Sequence, residues 1–142
     1  MEARQLLSDN RGPVITVRLG DPVREAVHKM AVHNIGMVLV LDTSGKIAGI
    51  LSERDVARGL DQFESELLDK RVDDLLTTSV ITCAPDDNVF ELVWLMDTNG
   101  IRHLPVVDDQ NLLGVISIRD YMKALLTATD DETRQLRELI SA

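Results

Sequence analysis

Aromatic residues are nearly absent: one Trp, one Tyr and two Phe in 142 residues. Any interior must therefore be built from Val, Leu, Ile, Met and Ala. Cysteine is scarcer still. The lone Cys83 excludes an intramolecular disulfide and suits a reducing compartment, so the cytoplasm is the expected location. Cys83 lies in an apolar, strand-like run and reads as a small buried residue rather than a reactive thiol. Long apolar runs are missing too. Stretches such as residues 36–41 are strand-sized, whereas a membrane span needs roughly 18–20 residues. The opening MEARQLLSDN has no apolar signal core. Neither membrane association nor export is expected.

Positive charge is in short supply. Fifteen Lys+Arg face 24 Asp+Glu, a net charge of −9. Residues 1–60 hold 8 basic and 7 acidic side chains, and residues 61–142 hold 7 and 17. Such a chain repels a polyanion, so no nucleic-acid partner is expected. A bound phosphate would need a few placed cations or backbone N–H groups. The chain has no nucleophile–base pair, no His-Glu-x-x-His spacing and no phosphate-loop motif. No catalytic residue, metal site or catalytic cofactor is assigned, and an enzyme is not expected. What the chain does hold is apolar residue, at 44% of the sequence, enough for a real core.

It also repeats itself. Residues 14–42 align with 80–108 at an offset of 66 without a gap, and 11 of the 29 positions are identical. Val14, Ile15, Thr16, Asp21, Met30 and Ile35 recur as Val80, Ile81, Thr82, Asp87, Met96 and Ile101. After a one-residue deletion, Gly49, Ser52, Arg54 and Asp55 recur as Gly114, Ser117, Arg119 and Asp120. The deletion falls where a turn should join two strands, and loops absorb such changes most easily.

Each copy predicts strand, helix, strand, strand, helix. The first strands are residues 14–17 and 80–83. Asp21 and Asp87 sit where helix N-caps belong, with Pro22 suited to the first helical position. Val23, Ala26, Val27, Met30 and Ala31 share one face of the first helix, and Val89, Leu92, Val93 and Met96 share one face of its counterpart. Strands at 37–41 and 103–107, polar turns, and strands at 47–51 and 112–116 follow. Short helices carrying Leu6 and Leu7, and Leu75 and Leu76, precede the copies. The expected fold class is α/β (α+β): two pseudo-twofold-related β-α-β-β-α repeats packed sheet to sheet, because one such unit alone cannot bury both faces of a three-stranded sheet. The expected division is 1–60 for the first repeat with an N-terminal helix and 61–79 for a helical, acidic connector. The second repeat takes 80–127. Residues 128–142 form a C-terminal amphipathic helix capped by Asp130, with Leu136, Leu139 and Ile140 as its apolar stripe.

Two features carry chemistry. Gly-x-x-Ser-x-x-Asp occurs twice, at 49–55 and 114–120, each time at a strand-to-helix corner. Ser-x-x-Asp is a helix capping box. The same corner offers N–H groups to an anion and a carboxylate whose two oxygens can accept from both ribose hydroxyls; an aspartate would repel a phosphate. Both roles can coexist. The second feature is IRHLPVVD, residues 101–108, with Arg102 and His103 at the mouth of a strand. A forked guanidinium and an imidazole that can gain charge suit phosphate; a solvated charge beside an amphipathic histidine is the plainer alternative. Pro105 marks this strand as an edge or a strand start. His28 and His33 read as surface or boundary residues.

The doubled pattern, the RHLPVVD run and the two Ser-x-x-Asp corners resemble a pair of cystathionine-β-synthase (CBS) domains, a Bateman module, over roughly residues 1–127. SERD-x-AR followed by RHLPV is similar to the small stand-alone bacterial CBS-pair proteins. The resemblance implies a non-catalytic sensor of AMP, ADP, ATP or NAD, ahead of S-adenosylmethionine, with ligands in clefts between the repeats. It implies one cleft of Ser52, Arg54 and Asp55 with Val80, Ile81, Arg102 and His103. Asp55 would take ribose, Val80 and Ile81 would flank adenine, and Arg102 and His103 would meet phosphate. The other cleft would join Ser117, Arg119 and Asp120 with Val14, Ile15, Ile35, Gly36 and Met37. Gly36 and Met37 stand where the second repeat has Arg102 and His103, so the Asp55 cleft is expected to bind a phosphorylated ligand more tightly. The resemblance also implies a homodimer of pairs and an unidentified regulated protein. A ligand-free dimerisation or interaction module is the alternative.

Overall fold

The computed structural model describes the backbone of residues 1–9 and 14–141. In chain order the elements are α1 (Ala3–Asp9), β1 (Thr16–Arg18), α2 (Val23–His33), β2 (Met37–Leu41), β3 (Ile47–Ser52) and α3 (Glu53–Phe63). Then come 3-10 turns at Glu64–Asp69 and Val72–Asp74, followed by α4 (Val89–Asn99), β4 (His103–Asp108), β5 (Asn111–Ser117) and α5 (Ile118–Ser141). They form two compact units. One comprises Pro13–Ile81, and the other joins Met1–Gly12 to Thr82–Ala142.

This division crosses the one read from the repeats. α1, read with the first repeat from sequence, packs on β5 and α5 in the second unit. The Ala3 and Arg4 N–H groups donate to the carbonyls of Asp87 and Pro85, at 2.9 and 2.8 Å. Burial supplies the reason: Ala3 and Leu6 are buried beside that sheet, and Leu7 lies against Gly114, where a Cβ would collide with it.

In the first unit β1 runs parallel to β2, and β2 runs antiparallel to β3. Val17, Ala26, Met30, Val38, Val40, Leu51 and Val72 form the core. A fully buried Val, Leu or Met contributes roughly 1.5–3 kcal/mol. α2 buries Val23, Ala26 and Met30 as its spacing predicts, but Ala31 is exposed and Val27 only half-buried. The helix ends at Asn34 in the left-handed region, and α4 ends the same way at Gly100, 66 residues later; Asn and Gly tolerate that conformation best.

The caps differ from the sequence reading. Pro22, not Asp21, is the N-cap of α2, and Asn88 caps α4 by accepting from the Phe90 N–H. Asp21 and Asp87 instead close the preceding turns, accepting from the N–H groups of Arg18 and Ala84, both at 2.9 Å. A carboxylate one position before the cap reaches back along the chain more readily than forward into the helix.

The second unit departs from the expected three strands. β4 and β5 form a two-stranded antiparallel ladder, and the segment at 80–83 adds only a single parallel bridge, Cys83 to Val106. Its equivalent, Val17 to Val40, is flanked by Thr16–Leu39 and Arg18–Leu41 pairs, and the Leu19 N–H donates to Leu41. The positions matching Leu19 and Leu39 are Pro85 and Pro105. Neither has an N–H to donate, so the ladder stops at one bridge on both sides. Pro105 lies within β4 rather than at its start, in a two-stranded sheet where β4 is an edge strand, and its carbonyl accepts from the Cys83 N–H at 2.9 Å.

The separate C-terminal helix is a continuation of α5, which runs 24 residues, about 36 Å. No Gly or Pro follows Gly114, so nothing breaks the helix before Asp130, and Asp130 caps nothing. The last residue assigned to that helix, Ala142, lies outside the described residues. The connector is helical only in part: α3 reaches Phe63, and Glu64, at φ 50°, turns the chain into the two 3-10 segments.

Candidate functional site

The two strand-to-helix corners fall in different units. Each is built by a strand that ends on serine and a helix that begins on the next residue.

In the first unit β3 delivers Ser52 as the N-cap of α3. Its N–H donates to Asp55 Oδ2 at 2.9 Å, its hydroxyl donates to the same oxygen at 3.0 Å, and Ser52 Oγ accepts from the Asp55 N–H at 3.2 Å. A third group joins them. The Thr77 hydroxyl donates to Asp55 Oδ1 at 3.2 Å, held there by reciprocal backbone bonds between Ile50 and Thr77 at 2.9 and 2.8 Å. Gly49 makes this approach possible: a Cβ there would fall 2.5 Å from the Thr77 carbonyl oxygen and collide with Leu76. The glycine of the motif is therefore a packing requirement. Thr77 was not singled out from sequence, because 22 residues separate it from Asp55 and no motif marks it.

The second corner repeats the box. The Ser117 N–H donates to Asp120 Oδ2 at 2.9 Å, and Ser117 Oγ accepts from the Asp120 N–H at 3.0 Å. Here β4 brings a histidine alongside, since His103 pairs with Ser117 across the ladder. The Ile118 N–H donates to the Arg102 carbonyl at 3.1 Å, as the Glu53 N–H does to Gly36 in the first unit at 2.9 Å. Burial of His103 outweighs the pull of the nearby Asp120 carboxylate, and the Arg102 charge adds to the burial; the imidazole pKa falls below its ordinary 6.5.

Both aspartates thus spend Oδ2 on their own helix ends. A carboxylate offers about four acceptor sites, so capping leaves capacity on the second oxygen. At Asp55 the Thr77 hydroxyl takes part of it. Cations stand near both corners: Arg54, Arg102 and Arg119 are exposed and enter no ion pair among the described residues. Val14, Ile15, Val80 and Ile81 are half-buried. Met37 pairs with Ser52, and Ile35 and Gly36 line an open pocket with Glu53 and Val56. His28 and His33 are exposed. The structure thus brings Ser52, Arg54 and Asp55 together with Gly36 and Met37 in one unit, and Ser117, Arg119 and Asp120 together with Arg102 and His103 in the other. The expected grouping of Asp55 with Arg102 and His103 joins residues of different units.

Cys83 is buried, and desolvation, helped by the Asp87 charge, pushes its thiol up to about 11. It stays a thiol at neutral pH and is inert by that measure. No cluster of His, Cys, Asp and Glu suited to a metal occurs among the described residues. No described helix is long and apolar enough to cross a membrane.

A family model for the CBS domain matches residues 3–62 and 72–127. The chain is 32% identical over 124 residues to the mitochondrial CBS domain-containing protein CBSX3 of Arabidopsis thaliana, covering 84% of this chain but 60% of that protein. Among solved structures, the CBS-domain containing protein ATU1752 from Agrobacterium tumefaciens superposes with a TM-score of 0.81 at 31% identity, over 87% of this chain and 92% of that one. The CBS domain pair of protein MJ0100, in complex with 5′-methylthioadenosine and S-adenosyl-L-methionine, gives 0.78 at 26% identity, over 90% and 98%. PAE2072 from Pyrobaculum aerophilum, complexed with AMP, gives 0.75 at 25%, over 84% and 89%.

Proposed function

The chain belongs to the CBS-domain family, with a CBS domain at residues 3–62 and another at 72–127, and from that premise we propose that it is a non-catalytic regulatory module that binds an adenine nucleotide at its strand-to-helix corners. The observation that carries this reading is the duplicated Ser–Asp corner, each with a carboxylate oxygen left over from capping and with exposed arginines nearby that enter no ion pair among the described residues. The ligands bound to MJ0100 and PAE2072 support it, since all three are adenosyl compounds.

Asp55 and Asp120 take ribose hydroxyls, each backed by its capping serine, Ser52 or Ser117. Val14, Ile15, Val80 and Ile81 supply the apolar surface for adenine, with Ile35, Gly36 and Met37 at the start of β2. Arg54, Arg102, His103 and Arg119 meet phosphate. AMP, ADP, ATP and NAD fit this set better than S-adenosylmethionine, because cations near the corner favour an anionic ligand over a sulfonium. The module pairs with a second copy, and a regulated protein reads the ligand-bound state through a shift in conformational population.

A melting-temperature screen against AMP, ADP, ATP, NAD and S-adenosylmethionine tests the reading. A saturable rise that Asp55→Ala and Asp120→Ala diminish is expected. The competing reading, a ligand-free interaction module, draws on the capping boxes themselves: if capping is the whole role of the two aspartates, no nucleotide raises the melting temperature.

A further inference from the structure

α5 outruns its counterpart in the first repeat. Phe63, where α3 ends, matches Ala128, yet α5 continues to Ser141. Every residue from Asp130 to Ile140 is exposed, so the described residues leave this extension uncovered. A helix this short gains little stability in water without something to pack on.

Its sequence keeps one register throughout. Met122, Leu126, Thr129, Thr133, Leu136 and Ile140 follow one another at alternating steps of four and three, the spacing of a coiled-coil seam. Leu136 is 60% and Ile140 84% exposed. Asp131 and Arg134 pair with each other at 3.5 Å, away from that seam. Two threonines at its middle steps weaken it, so the coil needs the folded modules to bring its strands together.

Charge selects the occupant and its direction. In the extension Asp130, Asp131, Glu132 and Glu138 outnumber Arg134 and Arg137, which disfavours an anionic membrane surface. Beside a parallel second copy, Glu132 flanks the seam and meets Arg137 of that copy, twice by symmetry. An antiparallel copy would set Lys123 against Arg137, Asp130 against Asp130 and Glu132 against Glu132, like charges throughout.

We propose that the α5 extension forms a parallel, in-register two-stranded coil with the extension of a second copy of this chain. The proposal rests on the pairing of copies described above and adds a contact outside both CBS domains, which end at residue 127. It sets the two Leu136 side chains against each other across the seam.

Disulfide trapping tests it, because the one native cysteine is buried. Leu136→Cys is expected to cross-link to itself under mild oxidation at least tenfold faster than Gln135→Cys, which lies off the seam. Added to Leu136→Cys, Glu132→Arg or Arg137→Glu slows the cross-link at least threefold. An equimolar mixture of those two chains restores the rate, since each then meets unlike charge in the other. All these positions are exposed, so the melting temperature stays native. Leu136→Cys that cross-links to Leu126→Cys but not to itself would show antiparallel strands and overturn the proposal. If neither cross-link forms while sedimentation finds a dimer, the coil is wrong and the pairing of copies stands. A chain that sediments as a monomer at every concentration overturns both.

Discussion

At the scale of single residues, the two aspartates hold the helix end and leave oxygen for a ligand, and the two roles separate by mutation. Ser52→Ala removes the hydroxyl that accepts from the Asp55 N–H and keeps the carboxylate. It should cost about 1 kcal/mol of stability with a small effect on AMP affinity. Asp55→Ala should cost a similar amount of stability and also weaken AMP at least tenfold; calorimetric titration beside urea unfolding checks both. Equal effects of the two variants on affinity would reduce Asp55 to a cap. His103 adds a pH dependence. Burial favours its neutral form, so in the free protein its contribution to stability is present above the ordinary value of 6.5 and is lost as pH falls through the lowered folded value. A bound phosphate acts oppositely, favouring the imidazolium. AMP affinity should therefore rise as pH drops from 8 to 6, with proton uptake on binding, and His103→Gln should flatten the profile. A flat wild-type profile would remove His103 from the phosphate site.

At the scale of elements, the repeats use the same glycine for unequal purposes. A Cβ at Gly49 meets the Thr77 backbone, whereas a Cβ at Gly114 meets only the Leu7 side chain, which can turn aside. Gly49→Ala should cost about 1–3 kcal/mol as overpacking and weaken ligand by displacing Thr77 from Asp55; Gly114→Ala should cost less on both counts. Chemical denaturation of the pair checks the order. The prolines illustrate what sequence alone conveys at this scale. Pro105 marked its strand as an edge or a strand start, whereas the loss of the ladder at 80–83 to a single bridge, through the missing N–H groups of Pro85 and Pro105, was not read from the sequence. Their positions did not say on which side of β4 that ladder would lie, because a proline removes a donor without specifying its neighbour.

At the scale of the whole molecule, ligand binding should register as global stability. A nucleotide at 100 times its dissociation constant adds about 2.7 kcal/mol, which for a chain of this size raises Tm by about 5–10 °C. Differential scanning fluorimetry with AMP, ATP and NAD measures it, and the absence of a shift with any of them would favour the ligand-free module. The chain spans about 60% of the Arabidopsis relative's length, so a relative's further segments speak only for that relative.

The repeat, the element order of its first copy, most of the buried face of α2 and the two capping corners were legible in the sequence by itself. Each depends on residues within a few positions of one another, where spacing alone decides which side chains meet. The placement of α1 on the second repeat's sheet, the approach of Thr77 to Asp55 and the company His103 keeps with Asp120 came only with the tertiary structure. Those contacts join segments tens of residues apart, and which distant surfaces meet is decided by packing the whole core, a choice that no local pattern encodes.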